Sequence, residues 1–341
     1  MPLKEPSWWY QDQAAWQARL LRPASRLYGT IAQSRFNGTK PYRSRLPVIC
    51  IGNFTAGGTG KTPTAMAVAE LIKSAGHSPW FLSRGHGGRL DGQEQIDLAK
   101  HSAVEVGDEP LLLASRAPTV TSRNRRHGAE FIERHAPANA VIVMDDGLQN
   151  PTLAKDLRLA VVDAARGLGN GLAIPSGPLR APMAFQAGLA DAIILNGGKD
   201  ARVTPANLPD LPVLRAMPQP YGDTSWVNGA SVVAFAGIAN PARFFSLLET
   251  LGAKVVARRA FADHQALTQA EATDLLRLAR GQGAQFVTTE KDFVRLNGPQ
   301  HGSINELRAM TRSLPIITVF AAGDIAHLEQ LIANAIAVKQ R

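Results

Sequence analysis

Short apolar runs recur along the first two thirds of the chain, at 46–51, 79–83, 141–144, 159–163 and 192–195. They are rich in Val, Ile and Leu, as expected of strands covered on both faces. Helical periodicities fall between several of them, notably at 61–75 and 124–135. The alternation predicts an α/β fold, a mostly parallel sheet with helices on both faces. Segment 196–228 is polar and holds Pro205, Pro209, Pro212, Pro218 and Pro220, so an irregular crossing is expected there. A second alternation follows: a strand at 232–236, a helix at 241–251 opened by Pro241, a short run at 254–256 and a helix at 265–281. A strand at 285–289, a final strand at 315–320 and an apolar helix at 324–338 complete it. Two units are therefore expected. Residues 1–215 form the first, and 216–341 form a smaller α/β unit whose last helix is free to pack back on the first.

The length, 341 residues, is ample for two such units. The formal charge of +9 points to anionic partners without choosing among them. Its distribution says more. Residues 1–45 hold Lys4, Arg19, Arg22, Arg26, Arg35, Lys40, Arg43 and Arg45 against only Glu5 and Asp12, together with Trp8, Trp9, Tyr10, Trp16 and Tyr28. Aromatics favour a wet–apolar boundary, and Arg and Lys favour anionic headgroups. Residues 7–33 therefore read as an amphipathic helical region, broken near Pro23. It either lies on a membrane surface or packs on its own domain. No apolar run reaches the ~18 residues that span a bilayer, and no secretory pattern opens the chain. Cys50 is the only cysteine, which excludes an internal disulfide or a cysteine-built metal site. A cytoplasmic protein peripheral to a membrane is expected. The basic residues form neither a stripe nor an RNA-binding motif, so no nucleic-acid partner is expected.

Candidate chemistry sits at the ends of two apolar runs. Thr55-Ala56-Gly57-Gly58-Thr59-Gly60-Lys61-Thr62 follows the first. Glycines let backbone N–H groups turn toward phosphate oxygens. A lysine then reaches the outer phosphates, and the next hydroxyl ligates magnesium. Thr55 stands where the usual motif has glycine, and Pro63 follows Thr62. A proline in a first helical turn loses no internal hydrogen bond. The run 140–144 ends in Asp145-Asp146. Adjacent carboxylates repel each other, and a divalent cation offsets that cost. Thr62, Asp145 and Asp146 are thus the candidate Mg²⁺ ligands, with a strand-end cap as the alternative role for Asp146.

Other polar groups are less decisive. Asp108, in Gly107-Asp-Glu-Pro110, fits either the start of a helix or a base acting on an acceptor hydroxyl. Arg123, Arg125 and Arg126 form a basic group. Asp163 and Arg166 open a long glycine-rich loop whose ordering implies a purpose.

The ordered set of motifs resembles the tetraacyldisaccharide 4′-kinases, P-loop kinases of lipid A biosynthesis in Gram-negative bacteria. The resembling blocks begin with Ile51–Pro63, Ser83-Arg-Gly-His-Gly-Gly88, Gly107-Asp-Glu-Pro110 and Met144-Asp-Asp-Gly-Leu-Gln149. They continue with Val162–Gly171, Pro175-Ser-Gly-Pro-Leu-Arg180, Phe235–Pro241, Phe261-Ala-Asp-His264 and Val287-Thr-Thr-Glu-Lys-Asp292. The resemblance implies a P-loop NTPase-type α/β/α sandwich and transfer of the γ-phosphate of ATP, with Mg²⁺, to the 4′-hydroxyl of a tetraacylated glucosamine disaccharide 1-phosphate. It implies a site on the cytoplasmic face of the inner membrane, reached as a peripheral or monotopic protein; a monomer is expected. By the same resemblance Asp108 and His264 pair to deprotonate the sugar hydroxyl, and Arg125 is the leading match to an arginine needed for activity, with Arg123 and Arg126 left open by the Arg-Asn-Arg-Arg register. Gln265 replaces a second histidine common in the family, His86 replaces a tyrosine, and Leu148-Gln149-Asn150 replaces Phe-Gln-His. The rival readings are a P-loop ATPase or GTPase switch, which here lacks the guanine-reading Asn-Lys-x-Asp pattern, and a membrane-surface nucleotide-binding protein without kinase activity.

Overall fold

The computed structural model describes residues 5–11, 15–197, 205, 207–238, 240–263, 265–279, 283–297 and 302–340. The large sheet is built from β1 (Val48–Gly52), β2 (Ser78–Ser83), β3 (Glu94–Gln95), β4 (Thr119–Thr121), β5 (Ala140–Asp145), β6 (Leu157–Asp163), β7 (Ala192–Asn196), β8 (Val213–Pro220) and β13 (Ile316–Phe320). Its order is β13-β8-β7-β6-β1-β5-β2-β4-β3. Pairing is parallel from β8 to β4, and β13 and β3 close the edges antiparallel. The expected mostly parallel α/β/α arrangement is what forms.

Strand β1 shows why its residues read as an unbroken apolar run. Ile49 and Ile51 enter the core beneath α2 (Lys61–Ser74), whereas Val48 and Cys50 enter the core on the opposite face, beneath the helix Arg125–His135. Alternate side chains point to opposite faces, and here both faces are covered. The helix Ala322–Gln340 returns to the α2 side, where Leu328, Ile332 and Ile336 join Ile49 and Ile51.

A second, all-parallel sheet has the order β10-β9-β11-β12, from β9 (Ser231–Ala236), β10 (Lys254–Ala260), β11 (Gln285–Thr289) and β12 (Thr311–Leu314). The helix Pro241–Thr250 packs on one face and the helices Gln269–Ala279 and Gly302–Met310 on the other.

Two local expectations fail. Segment 196–228 is not wholly irregular, because 213–220 is a strand. Its residues 213–216 pair with β7 and 216–220 with β13. Pro218 and Pro220 lie where the strand has only one neighbour, so their missing N–H groups cost no ladder on a second side. The N-terminal helix, α1 (Trp16–Asn37), also runs unbroken through Pro23. It is held on either side of the proline. Ala18 is fully buried, Ser25 Oγ donates to Ala173 O at 2.7 Å, and Gly29 lies against Pro182. Pro23 itself faces solvent, where the unpaired carbonyl a turn earlier can be hydrated.

The amphipathy of α1 is inverted. Its small residues face the protein, while Trp16, Leu20 and Leu27 are each about two-thirds exposed and Ile31 about half. At about 100° per residue, these four and Pro23 form one narrow stripe opposite Ala18, Ser25 and Gly29. Arg19, Arg22 and Arg26 run along one flank.

Candidate active site

Asp145 ends β5 and lies beside Ile51 of β1 in register. The glycine turn leaves β1 and enters α2, so the turn and the acidic pair meet at the carboxyl edge of the sheet, where open α/β sheets bind ligands. Gly57 and Gly60 have positive φ, +96° and +86°. At Gly60 a side chain would also collide with the Asn196 amide, which donates to Thr59 O at 2.9 Å. Pro63 is harmless: the first backbone bond of α2 is Thr64 N to Gly60 O, one residue later. The preceding stretch is braced from outside, by Ala56 N to Pro178 O at 2.7 Å and Arg180 Nε to Thr55 O at 3.2 Å.

Behind this turn the predicted metal ligands converge. Thr62 Oγ1 stands 3.5 Å from Asp145 Oδ2, and Lys61 Nζ stands 3.8 Å from Asp146 Oδ1. Asp145 is buried and its Oδ1 has no hydrogen-bond partner. Burial first, then Glu109 and Asp146, push its carboxyl up to about 7. Burial would raise Asp146 too, but Lys61 and then Arg180 outweigh it and bring the group down to about 2. Two neighbouring carboxylates thus have opposite electrostatic environments. Asp146 is the only non-glycine residue with positive φ (+50°) among those described, and Arg180 grips it with both terminal nitrogens at 2.8 and 3.1 Å. A buried carboxylate that meets a hydroxyl through Oδ2 and leaves Oδ1 unpartnered suits a divalent cation. Among the described residues no three His, Cys, Asp or Glu side chains converge on a metal position. Mg²⁺ commonly binds through one or two carboxylates and completes its octahedron with waters and substrate phosphate oxygens.

Of the three arginines at 123–126, only Arg125 reaches the acidic pair. It is 2% exposed, and it donates to Ser122 O at 2.7 Å and to the main-chain carbonyl of Asp145 at 3.2 Å. Burial draws its guanidinium down to about 10. Its geometry braces the strand end. Arg123 and Arg126 instead pair with Asp91 and Glu130 at the surface.

Asp108 is the first residue of the helix Asp108–Ala114, after Gly107 at φ +89°. Its Oδ1 accepts from Glu109 N at 2.9 Å. Its Oδ2 accepts from Arg295 Nε at 2.7 Å and also from Nη2. Arg295 comes from the short helix Glu290–Arg295 of the second sheet's layer, where it also binds Asp292 Oδ1 at 2.6 Å and Gly237 O at 2.8 Å. Lys291 adds bridges to Glu109 (3.4 Å) and Asp263 (3.5 Å). The Thr-Glu-Lys-Asp block is therefore a seam between the two layers, centred on Asp108. His264 lies outside the described residues; its neighbour Asp263 sits on this seam. Arg180 and Arg295 carry no assignable role in the sequence, because nothing local marks them as partners of carboxylates 34 and 187 positions away.

A family model for tetraacyldisaccharide-1-P 4′-kinase (LpxK) matches residues 17–336. The tetraacyldisaccharide 4′-kinase of Methylobacterium nodulans is 47% identical over 337 residues, covering 97% of this chain and 96% of the relative. The same enzyme of Methylorubrum extorquens strain PA1 is 47% identical, covering 97% and 98%, and that of a Bradyrhizobium species is 44% identical, covering 98% and 96%. A crystal structure of LpxK from Aquifex aeolicus in complex with ATP superposes with a TM-score of 0.74 at 24% identity, covering 94% of this chain and 99% of that one. That likeness extends to the fold.

Proposed function

The chain belongs to the tetraacyldisaccharide 4′-kinase family, and from that premise we infer that it transfers the γ-phosphate of ATP to the 4′-hydroxyl of tetraacyldisaccharide 1-phosphate in lipid A biosynthesis. The observation that carries the reading is the convergence of the Gly57–Thr62 turn with an orphaned buried carboxylate at Asp145. An ATPase or GTPase switch would share that turn, but would not explain the family match over residues 17–336.

In this reading residues 55–62 cradle the triphosphate with backbone N–H groups and the positive end of α2. Lys61 exchanges its contact with Asp146 for the outer phosphates, and Arg180 remains to hold Asp146. Thr62, Asp145 and Asp146 would hold Mg²⁺, which when bound supplies the positive charge that the phosphate oxygens and the buried carboxylates need. Arg125 keeps the acidic strand end in place. Asp108, on the seam between the layers, orients the acceptor hydroxyl and takes its proton, assisted by His264. The chain's contribution is positioning and electrostatics, because a sugar alcohol is a weak nucleophile that the γ-phosphate repels.

The outward stripe of α1 supplies the acceptor's route. Trp16, Leu20, Leu27 and Ile31, flanked by arginines, suit burial at the headgroup boundary of the cytoplasmic face of the inner membrane. No described helix is long and apolar enough to cross a membrane, so α1 would lie on the surface. Replacing Trp16, Leu20 and Leu27 together by Ser should lower partition onto anionic phospholipid vesicles about a thousandfold or more, since each large apolar side chain is worth roughly 1.5–3 kcal/mol when buried. The melting temperature should barely move, because these side chains face outward. Equal vesicle co-sedimentation by the triple variant and the wild type would reject the membrane assignment.

The reaction itself is tested by transfer of labelled γ-phosphate from ATP to the purified disaccharide 1-phosphate, with the product's phosphate position determined. Label at the 4′ position is expected. Asp108→Asn and His264→Ala should each slow transfer by roughly 10²–10⁴-fold. Acceptor-independent ATP hydrolysis with no labelled lipid would favour the switch reading.

A further inference from the structure

The phosphate turn lies against an anion that belongs to the chain itself. Glu5 precedes the single 3₁₀ turn Ser7–Tyr10, which is fastened to the loop after β6. Trp9 is buried and donates its indole N–H to Pro175 O at 3.1 Å, and Asn170 N donates to Trp9 O at 2.7 Å. So anchored, the segment brings the Glu5 carboxylate onto Gly57, where an added Cβ would overlap Oε1. The other oxygen accepts from the Tyr10 hydroxyl at 2.9 Å and pairs with Arg166 Nη1 at 3.0 Å. The Arg166 guanidinium also lies over the Tyr10 ring, 5.0 Å from its centre. Burial first, and then the Glu5 charge, push the Tyr10 phenol up, so Tyr10 remains a donor to that carboxylate.

Arg166 is itself held in place. Its backbone N and that of Ala165 donate to Asp163 Oδ1 at 3.1 and 2.9 Å, which fixes the turn at the end of β6, the strand beside β1. Tyr10, Gly57, Thr59, Asp163 and Arg166 line one small recess. The Asp163 carboxylate in this lining is already engaged, Oδ1 by two backbone N–H groups and Oδ2 by Arg243 at 3.6 Å, so the Arg166 guanidinium and the glycine backbone are left to suit an oxyanion. Glu5 supplies a carboxylate of the same sign as a phosphate, in a space with no room for both.

We propose that Arg166 and the backbone of Gly57–Thr59 form a phosphate-binding subsite that Glu5 fills in the ligand-free protein, and that an incoming phosphate group displaces the carboxylate and takes Arg166 as its partner. The inference rests on reading the turn as phosphate-binding. It adds Arg166 as a ligand residue and Glu5 as an internal competitor. The ligand chemistry is a phosphate oxyanion, carried either by the nucleotide or by the 1-phosphate of the acceptor.

The test measures two affinities by calorimetry on the full-length protein: AMP-PNP with Mg²⁺, and the disaccharide 1-phosphate in detergent micelles. Glu5→Gln keeps shape and removes charge. It should tighten one of the two ligands about three- to tenfold, because apparent affinity scales with the fraction of molecules whose site is open. Arg166→Gln should weaken that same ligand about tenfold, Arg166→Lys less, and Glu5→Gln added to Arg166→Gln should restore little. A response confined to AMP-PNP identifies the nucleotide as the source, and one confined to the lipid identifies the 1-phosphate. Wild-type protein that binds both ligands while Glu5→Gln leaves both affinities within twofold overturns the proposal alone. Wild-type protein that binds no AMP-PNP overturns the kinase reading, and the proposal with it.

Discussion

Asp145→Asn is expected to abolish phosphoryl transfer while making the ligand-free protein more stable above pH 7. The loss of activity should reach about 10³-fold, as when a charge aimed at the transferring group is removed. The gain in stability follows from the cost of a buried charge. In the folded protein burial, Glu109 and Asp146 hold the Asp145 carboxyl up at about 7, against roughly 4 in an unfolded chain. Below pH ~4 both states keep the proton, and the group contributes nothing. Between ~4 and ~7 the unfolded chain releases it while the folded protein retains it, so stability falls as pH rises. Above 7 the full cost is present and constant. Asparagine does not titrate. The melting-temperature advantage of the variant should therefore be small near pH 4.5, grow through pH 7 and level off above it, at about 3 °C or more. Mg²⁺ with AMP-PNP should stabilise the wild type more at pH 8 than at pH 5.5, because binding must displace the proton at the lower pH, and should stabilise the variant little at either. Thermal melts across pH 4.5–8.5 and the labelled-phosphate assay check both halves. A variant that melts below the wild type at pH 8, or that retains transfer, would refute the assignment of Asp145.

Arg295→Met should cost about 3–5 kcal/mol, the usual consequence of leaving buried carboxylates without their cation. Arg295 and its two partners, Asp108 and Asp292, are all nearly inaccessible. Burial already raises the Asp292 carboxyl despite the guanidinium beside it. Without Arg295 the cheapest response for a buried carboxylate is to take up a proton, so the destabilisation should be smaller at pH 5 than at pH 8. In melting temperature the loss is about 4–7 °C near neutrality. Activity should fall by about 10²-fold or more, because Asp108 loses the fork that aims it. Arg295→Lys keeps the charge but not the two-pronged geometry, so it should recover much of the stability and less of the activity. Chemical denaturation at both pH values, with kcat and KM measured separately, distinguishes these effects. A cost below 1 kcal/mol would mean that the seam between the layers does not depend on this cluster.

Both variants act where distant segments meet, and that is also where the sequence is least informative. The strands at 46–51, 141–144 and 159–163 are legible because a parallel strand covered on both faces must be apolar at every position. The turn at Gly57–Thr62 is legible because positive φ at Gly57 and Gly60 demands glycine within the local sequence itself. Strand β8 is hidden by Pro218 and Pro220, whose tolerance depends on which side of the strand has a neighbour. Likewise α1 survives Pro23 through contacts with residues 173 and 182, which no local rule anticipates.

The sequence by itself determined the central strands of the large sheet, the glycine turn, and the acidic pair at a strand end, because backbone dihedrals and burial periodicity act over a few residues. Only the tertiary structure decided that Arg180 grips Asp146, that Arg295 clamps Asp108, that Glu5 lies on the phosphate turn and that α1 turns its large apolar side chains outward. Charge pairing and packing depend on distance in space, and chain positions far apart in sequence carry no local mark of that distance.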